Sequence, residues 1–145
     1  MARASRAGNM AGHPGAALVA GRFFAGAHPH LDARVHAGIE GELDRIIAGE
    51  ELWYDPDAVG MTMAELFEPF PDAPSRPERV DSIAGALAGN IDAMRQSGHN
   101  VIFAAIAIKA LREYPEHATV RIVDGICRLI ERFVGEHPGD RKSVV

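Results

Sequence analysis

The chain has 145 residues, enough for one domain with one core. Fifteen basic and 20 acidic residues give a formal net charge of -5, which argues against a nucleic-acid-binding protein, and a 47% hydrophobic, 24% charged composition argues against a disordered one. A single Cys excludes a disulfide framework and a thiolate zinc site, and the wealth of Ala beside one Trp and two Tyr favours close-packed helices over sheets.

In chain order, residues 1–10 read as a loose N-terminal tail. Asn9, His13, Pro14 and Arg22 interrupt the unbroken apolar stretch of about 7–15 residues that a secretory signal needs. No run approaches the roughly 18 apolar residues of a membrane span, so a cytoplasmic protein is expected. Residues 11–139 read as one all-α domain of helical hairpins. The first hairpin, about 12–48, opens at Gly12-His13, breaks at Pro29 and resumes after Asp32, a good N-cap. A long irregular insert, 50–77, follows, with Trp53-Tyr54-Asp55-Pro56-Asp57 and a short helix from Thr62 to Phe67. A connecting helix is expected over 78–96, with Val80, Ile83, Leu87, Ile91 and Met94 as its buried stripe.

The second hairpin, about 98–135, repeats the plan of the first: Gly98-His99, a break at Pro115, a cap at Thr119 and a stop at Gly135. Val101 to Ile108 is apolar all round, which predicts a helix buried on every side. The helix from Thr119 carries Arg121, Asp124, Arg128 and Glu131 on one face, which predicts an outer helix. The last six residues, Asp140 to Val145, resemble the in-frame translation of a sequencing adapter. They are expected to be artefactual, with the natural chain running past Gly139.

A Gly-His opening, a Pro break, an Asp or Thr cap, and then His36-Ala37-Gly38-Ile39 or Val123-Asp124-Gly125-Ile126 make a pattern that resembles the α/α-toroid folds. These include the terpenoid-cyclase and protein-prenyltransferase group and the six-hairpin glycosidases. The resemblance implies a ring of inner helices around a central ligand cavity, here truncated, because a complete ring needs more hairpins than the chain holds. It is architectural only. The acidic Asp-rich motif of the cyclases is absent, and so is the Gln-x-x-x-Gly-x-Trp repeat, the only Trp being Trp53. No catalytic residue of those families is therefore carried over.

His13 and His99 are the candidate catalytic or ligand-contacting residues. Each opens a predicted inner helix, where the positive helix end disfavours protonation and leaves a neutral imidazole able to act as base, hydrogen-bond partner or ligand. Equivalent positions in the two hairpins would turn both rings toward one end of the cavity. Trp53, Tyr54, Asp55 and Asp57 form a second candidate group for binding a small-molecule ligand, an acidic and aromatic lip over a pocket, suited to a sugar or a cation. His28, His30 and His36 lack metal-ligand spacing and read as solvated turn residues, and no metal and no cofactor is expected. Cys127 reads as a small hydrophobe. Two functions fit: an enzyme or small-molecule binder with a central cavity, or a non-catalytic repeat scaffold for protein interaction. Apolar faces left open by truncation would favour self-association.

Overall fold

The computed structural model describes residues 1–50, 57 and 60–137. The described residues are all-α. Their only β feature is an isolated antiparallel bridge between Ser75 and Thr119. Six α-helices organise them: α1 (His13–Ala27), α2 (Ala33–Ala48), α3 (Met63–Phe67), α4 (Ser82–Ala88), α5 (His99–Glu113) and α6 (Val120–Glu131). No helix among the described residues is long and apolar enough to cross a membrane.

Local chemistry sets most of these boundaries. Asp32 accepts from the Arg34 N–H and Thr119 from the Ile122 N–H, each satisfying a first-turn donor that the helix cannot. Thr62 and Glu65 form a reciprocal capping box at α3. Helix α2 stops at Gly49, whose φ of 77° is left-handed and suits a residue without Cβ.

The core gathers around α6. Its buried face carries Val123, Ile126, Leu129 and Ile130, with Phe133 just beyond the helix. Against it pack α4, α5 and the N-terminal segment. That segment corrects the expectation of a loose tail at 1–10. Ala2–Arg6 and Asn9–Gly12 are 3-10 turns, and Ala2, Ala4, Ser5, Ala7 and Ala11 are buried. Small residues allow the approach: a Cβ placed on Gly125 of α6 would stand 2.7 Å from the Ala2 carbonyl oxygen. Polar ties reinforce it. Arg132 donates to the Ser5 carbonyl at 3.0 Å, and Arg3 donates to the Glu68 and Pro69 carbonyls at 2.7 and 2.9 Å.

The expected layering is also corrected. Helix α5 is not buried on all sides. Phe103, Ala104, Ala107 and Leu111 are buried, whereas Val101 and Ile102 are 48% and 46% exposed. Helix α6, read as the outer one, is the better covered, because the N-terminal turns and α4 lie across it. The connecting helix is shorter than 78–96. It follows a 3-10 turn at Pro77–Arg79 and ends at Ala88, so Ile91 and Met94 fall outside it and are exposed.

Two buried amides close the junction of α4, α5 and α6. Asn90 donates to the Ile130 carbonyl at 2.7 Å, and the Asn100 amide donates to the Asn90 carbonyl at 3.1 Å and to its side-chain oxygen at 2.8 Å. Both are almost fully buried. Asn90→Ala removes one of the two acceptors of the buried Asn100 amide and the side-chain donor to the Ile130 carbonyl, which keeps the Phe133 N–H, so it should cost about 1–3 kcal/mol in urea unfolding.

Candidate functional site

Helices α1 and α5 are each 15 residues long, and each begins directly after a 3-10 turn, Asn9–Gly12 and Gln96–Gly98 respectively. In both, the first α-helical residue is a histidine whose Nδ1 donates to the carbonyl three residues back. His13 reaches the Met10 oxygen at 2.7 Å, and His99 reaches the Gln96 oxygen. A carbonyl only accepts, so Nδ1 carries the proton in both neutral rings. Nε2 is then the basic, accepting nitrogen.

The helices bring the two rings together. Their centroids are 4.5 Å apart, and the ring of Phe103 stands edge-on to both, at 5.1 Å from His13 and 5.8 Å from His99. Phe103 is itself fixed from behind by Phe133 at 5.9 Å and by the bare Cα of Gly12, where an added Cβ would meet the ring at 2.6 Å. Further along the pair of helices, the Lys109 ammonium lies 4.3 Å from the centroid of the Phe23 ring.

The turn before His99 is unusual. Gln96, Ser97 and Gly98 all have positive φ, at 42°, 56° and 88°. Glycine accepts that region freely, but Gln and Ser do not, so the surroundings must hold them there. They do: the Gln96 N–H donates to the His137 carbonyl at 3.1 Å, the Gln96 side chain donates to the Glu136 carboxylate at 2.7 Å, and Arg95 donates to the Glu136 carbonyl at 3.1 Å. The segment after α6 thus fixes the carbonyl that sets the His99 ring.

From the histidine pair runs an open cleft of about 400 Å³. Its walls follow one helical rule. His13, Ala16, Ala17 and Ala20 line it from α1, and His99, Ile102, Phe103 and Ile106 line it from α5, the same positions i, i+3, i+4 and i+7 in each helix. Ile46 of α2 flanks it. The space exists because α1 carries alanine where α5 carries isoleucine or phenylalanine. The two histidines are legible in the sequence as a repeated pair. The alanine wall and Ile46 are not among the residues the sequence singles out, although counting from His13 in helical steps finds the alanines.

Burial, above all, holds the His13 ring below its ordinary pKa. The nearby His99 adds to this, and the Met10 carbonyl works the other way. Because the unfolded chain takes up a proton there at higher pH than the folded one, the His13 contribution is intact above about pH 6.5 and is lost as pH drops below it, while the buried Met1 amine, lowered from 8.0 to about 6, adds a loss that begins at higher pH. The urea midpoint should be lower at pH 5 than at pH 7.5. His13→Gln should flatten that dependence.

Trp53, Tyr54 and Asp55 fall outside the described residues, as does the tail from Asp140. Asp57 is exposed. His28 stacks beside Phe24 at 4.6 Å and near His30 at 5.9 Å, at the far end of α1 from His13. Among the described residues no group of three or more His, Cys, Asp or Glu is placed to hold a metal ion. Cys127 is half-buried, with its sulfur 3.5 Å from the Ser82 hydroxyl. No family model matches the chain, and neither does any curated protein or any solved structure.

Proposed function

We propose that the chain binds a small, largely apolar molecule in the cleft between α1 and α5, with the ligand's one polar group at the His13–His99 pair. The observation that carries this is the placement of two polar rings, 4.5 Å apart, at one end of a cleft whose other described lining residues are alanine, isoleucine, proline and phenylalanine. An apolar groove with few polar groups at one point is the usual composition of a small-molecule site, and its volume falls at the small end of that class. Among the described lining residues the imidazoles are the only groups able to take up a proton, so binding rather than a particular reaction is the function stated. The α/α-toroid likeness belongs to the same reading, in which α1 and α5 border the ligand cavity.

Propylbenzene tests the cleft alone. It should shift the methyl NMR signals of Ala16, Ala17, Ala20, Ile102 and Ile106 together. Ala20→Ile fills the groove from the alanine side. It should weaken that binding tenfold or more while leaving the melting temperature equal or higher, since it buries added apolar surface. Methyl signals that stay put up to the solubility of propylbenzene, or undiminished binding by Ala20→Ile, would overturn the proposal.

A second reading, a surface for self-association, draws on the exposed apolar residues of the first hairpin and α5: Phe24, Val35, Ile47, Val101 and Ile102. Sedimentation equilibrium decides it. A concentration-dependent dimer abolished by Ile102→Glu supports this reading, and a monomer at all concentrations removes it.

A further inference from the structure

The turns before His13 and His99 do the same work with opposite hands. Each offers a carbonyl to the Nδ1–H of the histidine that follows, Met10 in one and Gln96 in the other, and the same carbonyl accepts that histidine's backbone N–H. The Asn9–Gly12 turn has no residue of positive φ and ends at Gly12 with φ −69° and ψ −20°. Before His99, by contrast, Gln96 and Ser97 are the two non-glycine residues with positive φ among the described residues, and Gly98 follows them in the same region. A right-handed turn therefore suffices to make the histidine bonds. The left-handed one, which L side chains resist, is imposed by contacts from elsewhere.

Those contacts come from one short segment after α6. Gly135 takes a left-handed φ of 83°, and the next two residues reach the turn. Glu136, whose own N–H is held by the Phe133 carbonyl at 3.0 Å, accepts twice: its carboxylate from the Gln96 amide at 2.7 Å and its carbonyl from the Arg95 guanidinium at 3.1 Å. The His137 carbonyl accepts the Gln96 N–H at 3.1 Å. Asp92 braces Arg95 on its other side at 2.8 Å.

We propose that Glu136 and His137 form a clasp that governs the polar end of the cleft. Closed, it holds Gln96 and Ser97 left-handed and fixes the carbonyl that orients His99, which seats that ring 4.5 Å from His13 and 5.8 Å from Phe103. Released, the turn relaxes toward the right-handed form seen before His13, the Gln96 carbonyl turns away, and the His99 ring leaves its seat. The strained turn and the bonds that hold it oppose each other, so loss of one or two of those bonds shifts the population between the two states. Glu136 acts through Gln96 and is a positioning residue. The clasp regulates the site proposed above and rests on that reading for its bearing on a ligand; the seating of the ring does not depend on it.

Two NMR signals of the full chain read the clasp. One is the intraresidue Overhauser peak between N–H and Hα of Gln96 and Ser97, strong at positive φ because the two protons are then nearly eclipsed. The other is the cross-peak between the His13 and His99 rings. Both should be strong in the unaltered chain. Glu136→Ala should weaken both, and adding Arg95→Ala should remove most of what is left. Adding Ser97→Gly to the double variant should restore the inter-ring cross-peak and the Gln96 peak, because glycine accepts the left-handed turn without the clasp. Glu136→Gln keeps an acceptor oxygen and should match the unaltered chain. Weak intraresidue peaks in the unaltered chain would overturn the proposal, and so would both signals persisting at full strength in the double variant. Loss of the ring contact that Ser97→Gly does not repair would also overturn it, since Glu136 would then act on stability alone. Should the double variant not fold, Glu136→Ala with and without Ser97→Gly decides by the same signals. Propylbenzene keeps the two readings apart: its failure to bind the unaltered chain removes the cleft reading and leaves the clasp to these signals, whereas normal binding with unchanged signals in the variants removes the clasp alone.

Discussion

Phe103→Ala should be the most damaging single change at the site, lowering stability by about 3–5 kcal/mol. The ring is fully buried, and it ties α1 to α5 and the end of α6: it touches His13 and His99 on one side, Phe133 on another, and closes on Gly12. Truncation leaves a cavity walled by groups on α1, α5 and the end of α6, elements too constrained to collapse into it. Thermal unfolding should show a drop in melting temperature of roughly 10 °C for a chain of this size. Phe103→Leu, which keeps most of the volume, should cost far less. Equal losses for the two would mean that the aromatic contacts, not the filled space, hold this junction.

Gly125→Val is expected to follow closely. The added side chain would have to displace the Ala2 backbone, whose carbonyl oxygen would stand 2.7 Å from a Cβ on Gly125. Backbone cannot give way as a side-chain tip does, so the 3-10 turn Ala2–Arg6 must lift off α6, exposing part of the face that carries Val123, Ile126 and Leu129. A loss of about 1–3 kcal/mol is expected, accompanied by faster amide exchange in residues 2–7 than in α5. Unchanged stability would show that the segment does not pack on α6. The same substitution at Gly38, the matching glycine of α2, meets open space and should be nearly neutral by comparison.

The contrast between Gly125 and Gly38 separates what a sequence can reveal from what it cannot. Helix ends are readable because each depends on a few adjacent residues: Asp32 and Thr119 as caps, Pro29 and Pro115 as breaks. Residues 1–10 read as a tail because their alanines carry no periodic large apolar residue. Their burial follows from how closely a small side chain can approach Gly125, which is a tertiary property. The layering of the second hairpin is hidden for a related reason. Apolar composition marks α5 as central, yet burial depends on which neighbours arrive, and the N-terminal turns and α4 cover α6 instead. Ile91 and Met94 keep the apolar period of a longer helix while the backbone turns away after Ala88. At the site, the equivalence of His13 and His99 is visible as a repeated Gly-His opening. That their rings touch depends on the approach of α1 to α5, which no local pattern encodes.

The most direct test of the account is a nuclear Overhauser measurement between the imidazole ring protons of His13 and His99, paired with nitrogen-15 spectra that report the tautomer of each ring. Direct inter-ring cross-peaks, with both rings in the Nδ1–H form at pH 7.5, are the expected result. Absence of any inter-ring cross-peak, or either neutral ring in the Nε2–H form, would contradict it.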